Sequence, residues 1–366
     1  MVVVPAGRSG ASCVITLFSN NSIETSVETM PEKIHDAFFE KTWFCNLSIA
    51  QILFGGNVIG ALAHLILAIT TLAVAANEHE KNDVTKPTFT TYITKVSFNE
   101  SNVEDPFEPS TKQYGSFSIP FATFGFFMLS FIAHSVIVIL NYRQLLAKDR
   151  TDAENKYAGS SLSGWYLPWI TEARAPFRWV EYFFSAPLMI LLIAVVAGIQ
   201  NVMTLVLLWG LIATTIIFGN ICEEMNEVNL FENKRHWSRN IVRDLGGLKY
   251  SNRWFSRLWP TLLGWIPFAF AMAIIIWNFH NSINVARDAG REVPGYVYFV
   301  VVGQTILFAS FSFPQIGVLV NPDPDKYWRG EITYVILSLT SKAFLGITFM
   351  GAIFGFNSLE ENLINS

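Results

Sequence analysis

The sequence predicts an all-α membrane protein built as a bundle of seven transmembrane helices. Only 15% of the 366 residues are charged, whereas 51% are hydrophobic and 14% are aromatic. The hydrophobic residues gather into repeated apolar runs of about 20 residues, the length that an α-helix needs to cross a bilayer. This combination is typical of a polytopic membrane protein and excludes an ordinary soluble domain.

Seven segments are predicted to span the membrane, and together they form the domain from 51 to 355. They are 51–76, 117–140, 177–198, 202–221, 259–279, 294–320 and 331–355. The third and fourth are separated only by Gly-Ile-Gln-Asn, so a tight helical hairpin is expected there. Pro267 and Pro314 lie inside the fifth and sixth spans, where proline is expected to kink a helix.

The Lys and Arg residues between the spans predict the orientation in the membrane. Of the 25 cations, 17 fall on one side and six on the other. The first side comprises the N-terminal arm 1–50 and the loops 141–176, 222–258 and 321–330; the other comprises the loops 77–116 and 280–293 and the short tail 356–366. Cytoplasmic loops carry the excess of cations. We therefore expect an integral protein of the plasma membrane with a cytoplasmic N-terminus and an extracellular C-terminus.

The first extracellular loop, 77–116, is predicted to contain a β-hairpin. Its stretch Thr-Phe-Thr-Thr-Tyr-Ile-Thr-Lys-Val-Ser-Phe alternates polar and apolar residues, which is the pattern of a strand. Asn99 begins an Asn-Glu-Ser glycosylation triplet in the same loop.

The cytoplasmic loop 222–258 mixes basic and aromatic residues, so we expect it to lie on the membrane surface against anionic lipid. A docking site for a cytosolic signalling partner is the alternative. A net charge of −4 without a basic tract gives no reason to expect nucleic acid, and the three cysteines match no metal-binding spacing.

Lys342 is a cation about 11 residues inside the seventh span, in an otherwise uncharged stretch. An isolated charge at mid-bilayer costs about 2.5–3.5 kcal/mol on insertion scales, so it should have a partner or a task. The deep carboxylate available in the predicted spans is Glu181, near the start of the third. One hypothesis is a structural ion pair that holds two helices in register, as in a transporter without a chromophore.

The other hypothesis uses the chemistry of a buried amine. Removal from water favours the neutral lysine, which can attack an aldehyde and form a Schiff base. The protonated Schiff base is a buried cation that needs a counterion, and Glu181 would supply it. Aromatic residues near mid-depth, Tyr182, Phe268, Phe308 and Phe311, would suit a long conjugated polyene.

Four motifs resemble those of the heliorhodopsins, microbial rhodopsins with an inverted topology. They are Phe-Arg-Trp-Val-Glu-Tyr at 177–182, the run from Tyr327 to Lys342, Val-Pro-Gly-Tyr-Val-Tyr at 293–298, and Ile-Ile-Phe-Gly before Glu223. The resemblance covers 51–76, 117–140 and 176–355, and it implies a seven-helix rhodopsin bundle. It also implies a photoreceptor rather than an enzyme, and a homodimer paired through the fourth and fifth spans and the extracellular hairpin.

The resemblance also implies roles for individual residues. Lys342 would bind all-trans retinal as a Schiff base, Glu181 would be its counterion, and Ser338 would hydrogen-bond nearby. His64 and His134 would form a proton-accepting cluster. Further retinal contacts would come from Tyr182, Ser185, Met189, Phe268 and Phe308. A polar network at the cytoplasmic end would contain Arg178, Glu223, Tyr327 and Glu331.

Two functions remain open at this level, a photosensor and a light-gated proton or ion conductance. An ordinary proton pump is disfavoured because Leu192 stands eleven residues after Glu181, where such pumps usually place a second carboxylate. His64, His134, Glu181 and Arg178 supply polar groups in the cytoplasmic half. The extracellular half offers only weakly polar groups such as Gln304 and Thr348, which favours the sensor.

Overall fold

A computed structural model describes the bundle and most of its attachments. The described residues are 3–5, 12–14, 38–40, 46–80, 90–98, 109–149, 151–153, 164–171, 173–230, 254–290, 292–293, 295–320 and 327–364. The Asn99 triplet, most of the N-terminal arm and the 231–253 part of the basic-aromatic loop lie outside them.

Seven helical stretches within the described residues are long and apolar enough to cross a membrane, as predicted. They are Ile49–Val74, Ile119–Leu145, Pro176–Val196, Val202–Glu224, Leu258–Asp288, Gly295–Leu319 and Tyr327–Gly351. The fifth runs on to Asp288, past its predicted end at residue 279.

The helices are numbered in chain order, and several extend beyond the apolar stretch. They are α1 (Ile49–Glu80), α2 (Ile119–Leu145), α3 (Tyr166–Thr171), α4 (Pro176–Val196), α5 (Val202–Leu230), α6 (Trp254–Asp288), α7 (Gly295–Tyr298), α8 (Gln304–Ser310), α9 (Ser312–Val320) and α10 (Tyr327–Ile364). Neighbours pack around a ring, α1 on α2, α2 on α4, α4 on α5, α5 on α6, α6 on α9, α9 on α10 and α10 on α1. The residues assigned to a short tail from 356 continue α10 as far as Ile364.

The sixth span is broken into pieces rather than kinked at one proline. A π-helical segment, Phe299–Gly303, joins α7 to α8, and a second break at Phe311 separates α8 from α9. Pro314 lies in the first turn of α9, where its missing N–H and its ring disfavour continuation of the preceding helix. α6 keeps Pro260 and Pro267 inside one continuous helix.

The turn between α4 and α5 is as tight as the sequence predicts. Gly198 has a φ of +96°, a left-handed conformation that glycine adopts without strain. A Cβ at this position would also lie 2.3 Å from Ser282 Oγ. The Ser282 hydroxyl donates a hydrogen bond of 3.0 Å to the carbonyl of Ala197, which fixes the turn against α6.

The predicted hairpin is formed by β3 (Thr90–Phe98) and β4 (Pro109–Ser118), after a short antiparallel pair near the N-terminus, β1 (Val3–Pro5) and β2 (Ser12–Val14). β3 and β4 are antiparallel, with an irregularity between Ile93 and Thr94. At that point the Thr94 amide donates a hydrogen bond of 2.9 Å to the carbonyl of Gln200. The hairpin is therefore attached to the turn between α4 and α5.

The two largest apolar clusters among the described residues lie at different heights along the bundle axis. The larger fills the predicted extracellular half and includes Phe126, Ile193 and Phe349. The smaller lies at the predicted cytoplasmic end, where Leu53 and Leu167 are fully buried. Polar side chains from α1, α2, α4 and α10 meet between the two clusters.

Candidate functional site

Lys342 and Glu181 form a buried ion pair in the middle of the bundle. The Lys342 Nζ lies 2.6 Å from Glu181 Oε1, and the side chains are 2% and 8% exposed. Lys342 lies on α10 and Glu181 lies on α4, so the third and seventh spans approach each other as predicted. The Lys342 Nζ also donates a hydrogen bond of 3.1 Å to Ser338 Oγ, one helical turn earlier.

Ser130 on α2 completes this arrangement and was absent from the sequence prediction. Its Oγ lies 2.6 Å from Lys342 Nζ and 2.7 Å from Glu181 Oε1, so the hydroxyl accepts from the amine and donates to the carboxylate. Ser130 stands four residues before His134, so the two share a helix face. That spacing is the one sequence signal that could have indicated it.

An apolar cavity opens directly beside the lysine. Its volume is about 110 Å³, counted as the space open to the centre of a water molecule. Its wall is mainly aromatic and aliphatic. Seven of the predicted cofactor residues lie in the wall: Lys342, Ser338, Tyr182, Ser185, Met189, Phe268 and Phe308. Glu181, His64 and His134 are not among the wall residues.

Trp179 closes one side of the cavity because α5 has a glycine opposite it. A Cβ at Gly219 would lie 2.4 Å from the Trp179 ring. The indole of Trp179 can therefore approach α5 closely, and its N–H donates to Glu223. This contact joins the cavity wall to the polar groups at the predicted cytoplasmic end.

His64 and His134 lie together in the interior between α1 and α2. Their rings stack at a centroid distance of 5.5 Å and an interplanar angle of 18°. Both interact electrostatically with Lys342 and Glu181, so they belong to the same polar centre as the ion pair. His134 Nδ1 is 2.8 Å from Asn57 Oδ1, a contact that the sequence did not predict.

The four predicted members of the cytoplasmic network are brought together. The Arg178 guanidinium lies 2.6 Å from Glu223 Oε1, and its other terminal nitrogen donates to Glu331. It also lies 3.2 Å from the Tyr327 hydroxyl, which in turn donates to Glu223. One buried cation is therefore shared by two carboxylates.

Tyr166 on α3 joins this network from the loop 141–176, where the sequence offered no signal for it. Its hydroxyl donates a hydrogen bond of 3.0 Å to Glu331 Oε1 and lies 3.4 Å from Asn57 Nδ2. Burial raises the pKa of Tyr166 to about 12, so it stays protonated and remains a donor at neutral pH. Within the described residues, no cluster of His, Cys, Asp and Glu could hold a metal ion.

A heliorhodopsin family model matches residues 155–353, more than half of the 366-residue chain. The chain belongs to the heliorhodopsin family. Heliorhodopsins are retinal-binding, light-sensitive membrane proteins and photoreceptors rather than enzymes, so those predictions are confirmed. The seven spans are accordingly those of a rhodopsin bundle.

Among solved structures, the crystal structure of Exiguobacterium sibiricum rhodopsin is similar to this heliorhodopsin. The two share 10% identity with a TM-score of 0.47, over 83% of this chain and 96% of the other. No curated protein matches the chain.

The cavity of this heliorhodopsin fits the retinal that the family implies. An amine able to form a Schiff base lies in the wall, and the remaining wall is largely apolar and aromatic, as a polyene requires. A carboxylate lies within contact distance of that amine. Lys342, Tyr182, Met189, Phe268 and Phe308 would hold the group.

Proposed function

We propose that the protein is a light sensor in which Lys342 carries all-trans retinal as a Schiff base and Glu181 is the counterion. The observation that carries the proposal is the position of Lys342, which lines the apolar cavity and whose Nζ lies 2.6 Å from Glu181 Oε1. A purely structural ion pair would explain the contact but not the apolar cavity that Lys342 lines.

Bound retinal supplies visible absorption and a light-driven isomerisation. The protein side chains control the charge and the orientation of the Lys342 nitrogen. Glu181 compensates its positive charge, while Ser130 and Ser338 offer hydroxyl oxygens that fix its orientation. Because the surrounding wall is largely apolar, the local dielectric constant is low and the charge pair is strong.

The histidine pair is the proposed acceptor of the proton that leaves Lys342. His64 is fully buried, and its ring stacks on that of His134. Transfer of the proton would remove the charge that holds Glu181 against α10. The contact between α4 and α10 would weaken, and the predicted cytoplasmic ends of these helices carry the network of Arg178 and Glu331.

A sensor is favoured over a light-gated conductance because, among the described residues, the buried charged side chains lie at the centre and at the predicted cytoplasmic end of the bundle. In the described part of the other half, the Thr348 hydroxyl bonds its own helix at the carbonyl of Phe344. Gln304 is fully buried with neither amide atom hydrogen-bonded to the described residues. Isolated polar groups in an apolar core do not form a path for protons or ions.

The orientation supports a cytoplasmic output. Of the 25 cations, 17 lie on the side of the Arg178 network, so we propose that this side faces the cytoplasm and that the C-terminus is extracellular. A cytosolic signalling partner would then meet the loops 141–176 and 222–258. A homodimer in the plasma membrane is proposed from the family resemblance. Antibody access to a C-terminal epitope on intact cells tests the orientation, and cross-linking in native membranes tests the dimer.

Reconstitution tests the chromophore. Adding all-trans retinal to the purified apoprotein is expected to produce a visible band, and Lys342→Ala is expected to abolish it. Lys148→Ala is the matched control, because Lys148 is an exposed lysine near the end of α2 and its loss should leave the band intact. Absence of a band in the unaltered protein would overturn the proposal. A band that forms with 9-cis but not with all-trans retinal would contradict the proposed isomer.

Voltage-clamping of illuminated cells tests the sensor against the conductance. The sensor predicts no sustained photocurrent at any holding potential. A reproducible current that disappears in Glu181→Gln would replace the sensor with the conductance.

A further inference from the structure

Asn57 on α1 has a buried side chain whose hydrogen bonds leave little freedom in its orientation. It is 1% exposed. Its Nδ2 donates a hydrogen bond of 2.8 Å to the carbonyl of Leu53, one turn earlier. Its Oδ1 lies 2.8 Å from Nδ1 of His134 on α2. The amide is therefore fixed between a backbone carbonyl and an imidazole.

These contacts determine which nitrogen of His134 carries the proton. A carbonyl oxygen can only accept a hydrogen bond, so the amide nitrogen of Asn57 must face Leu53 and the amide oxygen must face His134. An amide oxygen also only accepts, so Nδ1 of His134 must carry a hydrogen. In the neutral ring the lone pair is then left on Nε2.

His64 is held in the same state by a different acceptor. Its Nδ1 lies 2.7 Å from the carbonyl of Gly60, so Nδ1 again carries the hydrogen. Its Nε2 is buried without a hydrogen-bond partner among the described residues. A Cβ at Gly60 would lie 3.0 Å from Nε2 of His134, so the glycine leaves room for that ring. Both histidines therefore present Nε2 as the basic atom.

We propose that Asn57 is a positioning residue that keeps the hydrogen of His134 on Nδ1 and so makes Nε2 the atom that receives a proton. This rests on the proposed function, in which the proton leaves the Lys342 nitrogen. The proton adds to Nε2, the ring becomes a cation, and the Lys342 nitrogen becomes neutral. The Nδ1 hydrogen stays in place and its bond to Asn57 becomes charge-assisted.

Asn57 also connects the histidine to the predicted cytoplasmic end without passing a proton on. An amide nitrogen holds its hydrogens, so the proton stops at His134. The same amide nitrogen lies 3.4 Å from the Tyr166 hydroxyl, which donates to Glu331. A change of charge at His134 therefore acts on Tyr166 and Glu331 through the hydrogen bonds of one amide.

The first test uses nitrogen-15 NMR of histidine-labelled protein, with the His134 signal assigned from a His134→Gln spectrum. We expect a protonated Nδ1 and an unprotonated Nε2 at neutral pH, in the retinal-free and the retinal-loaded protein alike. Asn57→Leu should shift the ring towards the other tautomer, whereas Asn57→Asp keeps an acceptor and should preserve the original one. Asn278→Leu is the control, because Asn278 makes the same bond to the carbonyl four residues earlier, in α6.

A protonated Nε2 in the unaltered protein, or an unchanged tautomer in Asn57→Leu, would overturn the proposal. The unaltered protein gives a decisive result even if Asn57→Leu does not fold. The tautomer of His134 is measured in the retinal-free protein, so it does not depend on the proposed function. If only the proposed function fails, the visible band is missing but the tautomer is the expected one.

The second test measures the rate at which the visible band is lost after a flash, which reports deprotonation of the Lys342 nitrogen. Asn57→Leu should slow this step about fivefold, the effect of losing one net hydrogen bond. Asn57→Asp and Asn278→Leu should not slow it. Equal rates in Asn57→Leu and the unaltered protein would contradict the positioning role.

Discussion

The guanidinium of Arg178 lies 2.6 Å from a carboxylate oxygen of Glu223, and both side chains are at least nine-tenths buried. Burial of one partner of such a pair without the other leaves an uncompensated charge in the interior. The same guanidinium stacks 4.0 Å from the ring centre of Tyr334. Arg178 is therefore a main structural element of the predicted cytoplasmic end.

Replacement of Arg178 by Gln is expected to destabilise the protein by about 3–5 kcal/mol, because two carboxylates lose their shared cation. Thermal unfolding in detergent measures the loss. Arg329→Gln is the control, since Arg329 lies exposed on α10, and its change should stay within about 0.5 kcal/mol. Equal melting temperatures for the two variants would contradict the assigned role of Arg178.

Glu181→Gln is expected to shift the absorption band of the retinal-loaded protein to longer wavelength. The carboxylate at 2.6 Å from Lys342 Nζ stabilises a positive charge located at that nitrogen. Excitation moves positive charge away from it, so removing the carboxylate lowers the excitation energy. An absorption spectrum measures the shift. Glu224→Gln, a half-buried carboxylate on α5 beyond the cavity wall, should leave the band in place.

Gly219→Ala is expected to destabilise the bundle by about 1–3 kcal/mol, the usual effect of overpacking. The added methyl group would lie 2.4 Å from Trp179, which must move out of the cavity wall. Gly210→Ala, on the same helix with nothing within 4 Å of the new methyl group, should stabilise by about 0.5–1 kcal/mol. Melting temperatures that change in opposite directions in the two variants would support the close packing of Gly219 against Trp179. Changes in the same direction would contradict it.

Because of Tyr166, the free energy of unfolding is expected to fall as pH rises from 10 to 12. Its pKa is about 12 in the folded protein against an ordinary value of 10.0. Because the folded pKa is the higher, the stabilising contribution is complete below pH 10 and is lost as pH rises through 12. Two pKa units correspond to about 3 kcal/mol at most.

Unfolding measured across this pH range in Tyr166→Phe should show a shallower decline than the unaltered protein. At neutral pH the variant should be less stable by about 1 kcal/mol, the net value of a hydrogen bond. Tyr142→Phe is the control, because Tyr142 is 45% exposed, and its decline should match that of the unaltered protein. Identical declines in both variants would contradict the burial argument.

The ion pair of Lys342 and Glu181 was predictable because charge is costly inside a membrane and leaves few candidate partners. Ser130 and Asn57 were not predictable in the same way. An uncharged polar side chain in a spanning helix can bond the carbonyl four residues earlier, as Asn57 does with Leu53, and needs no other partner. Composition therefore gives no sign that these residues also reach across to a neighbouring helix.

The hairpin and the order of the spans result from alternation and apolar length, which are local properties of the sequence. The π-helical segment Phe299–Gly303 does not, since its residues are ordinary helix formers in a bilayer and contain no proline. Tyr166 was missed because it lies in a loop, and only the folded chain shows that α3 packs against α2 and α10.

The bond between Thr94 and Gln200 has a mechanical consequence. β4 continues directly into α2, which carries Ser130 and His134, and the bonded turn connects α4 to α5. The helices that hold the counterion and its serine are thus clamped to each other at one rim of the molecule. At the opposite rim the same α4 is tied to α10 by the ion pair of Arg178 and Glu331. The helix that carries the counterion is therefore anchored at both ends, by a backbone hydrogen bond at one and by opposite charges at the other.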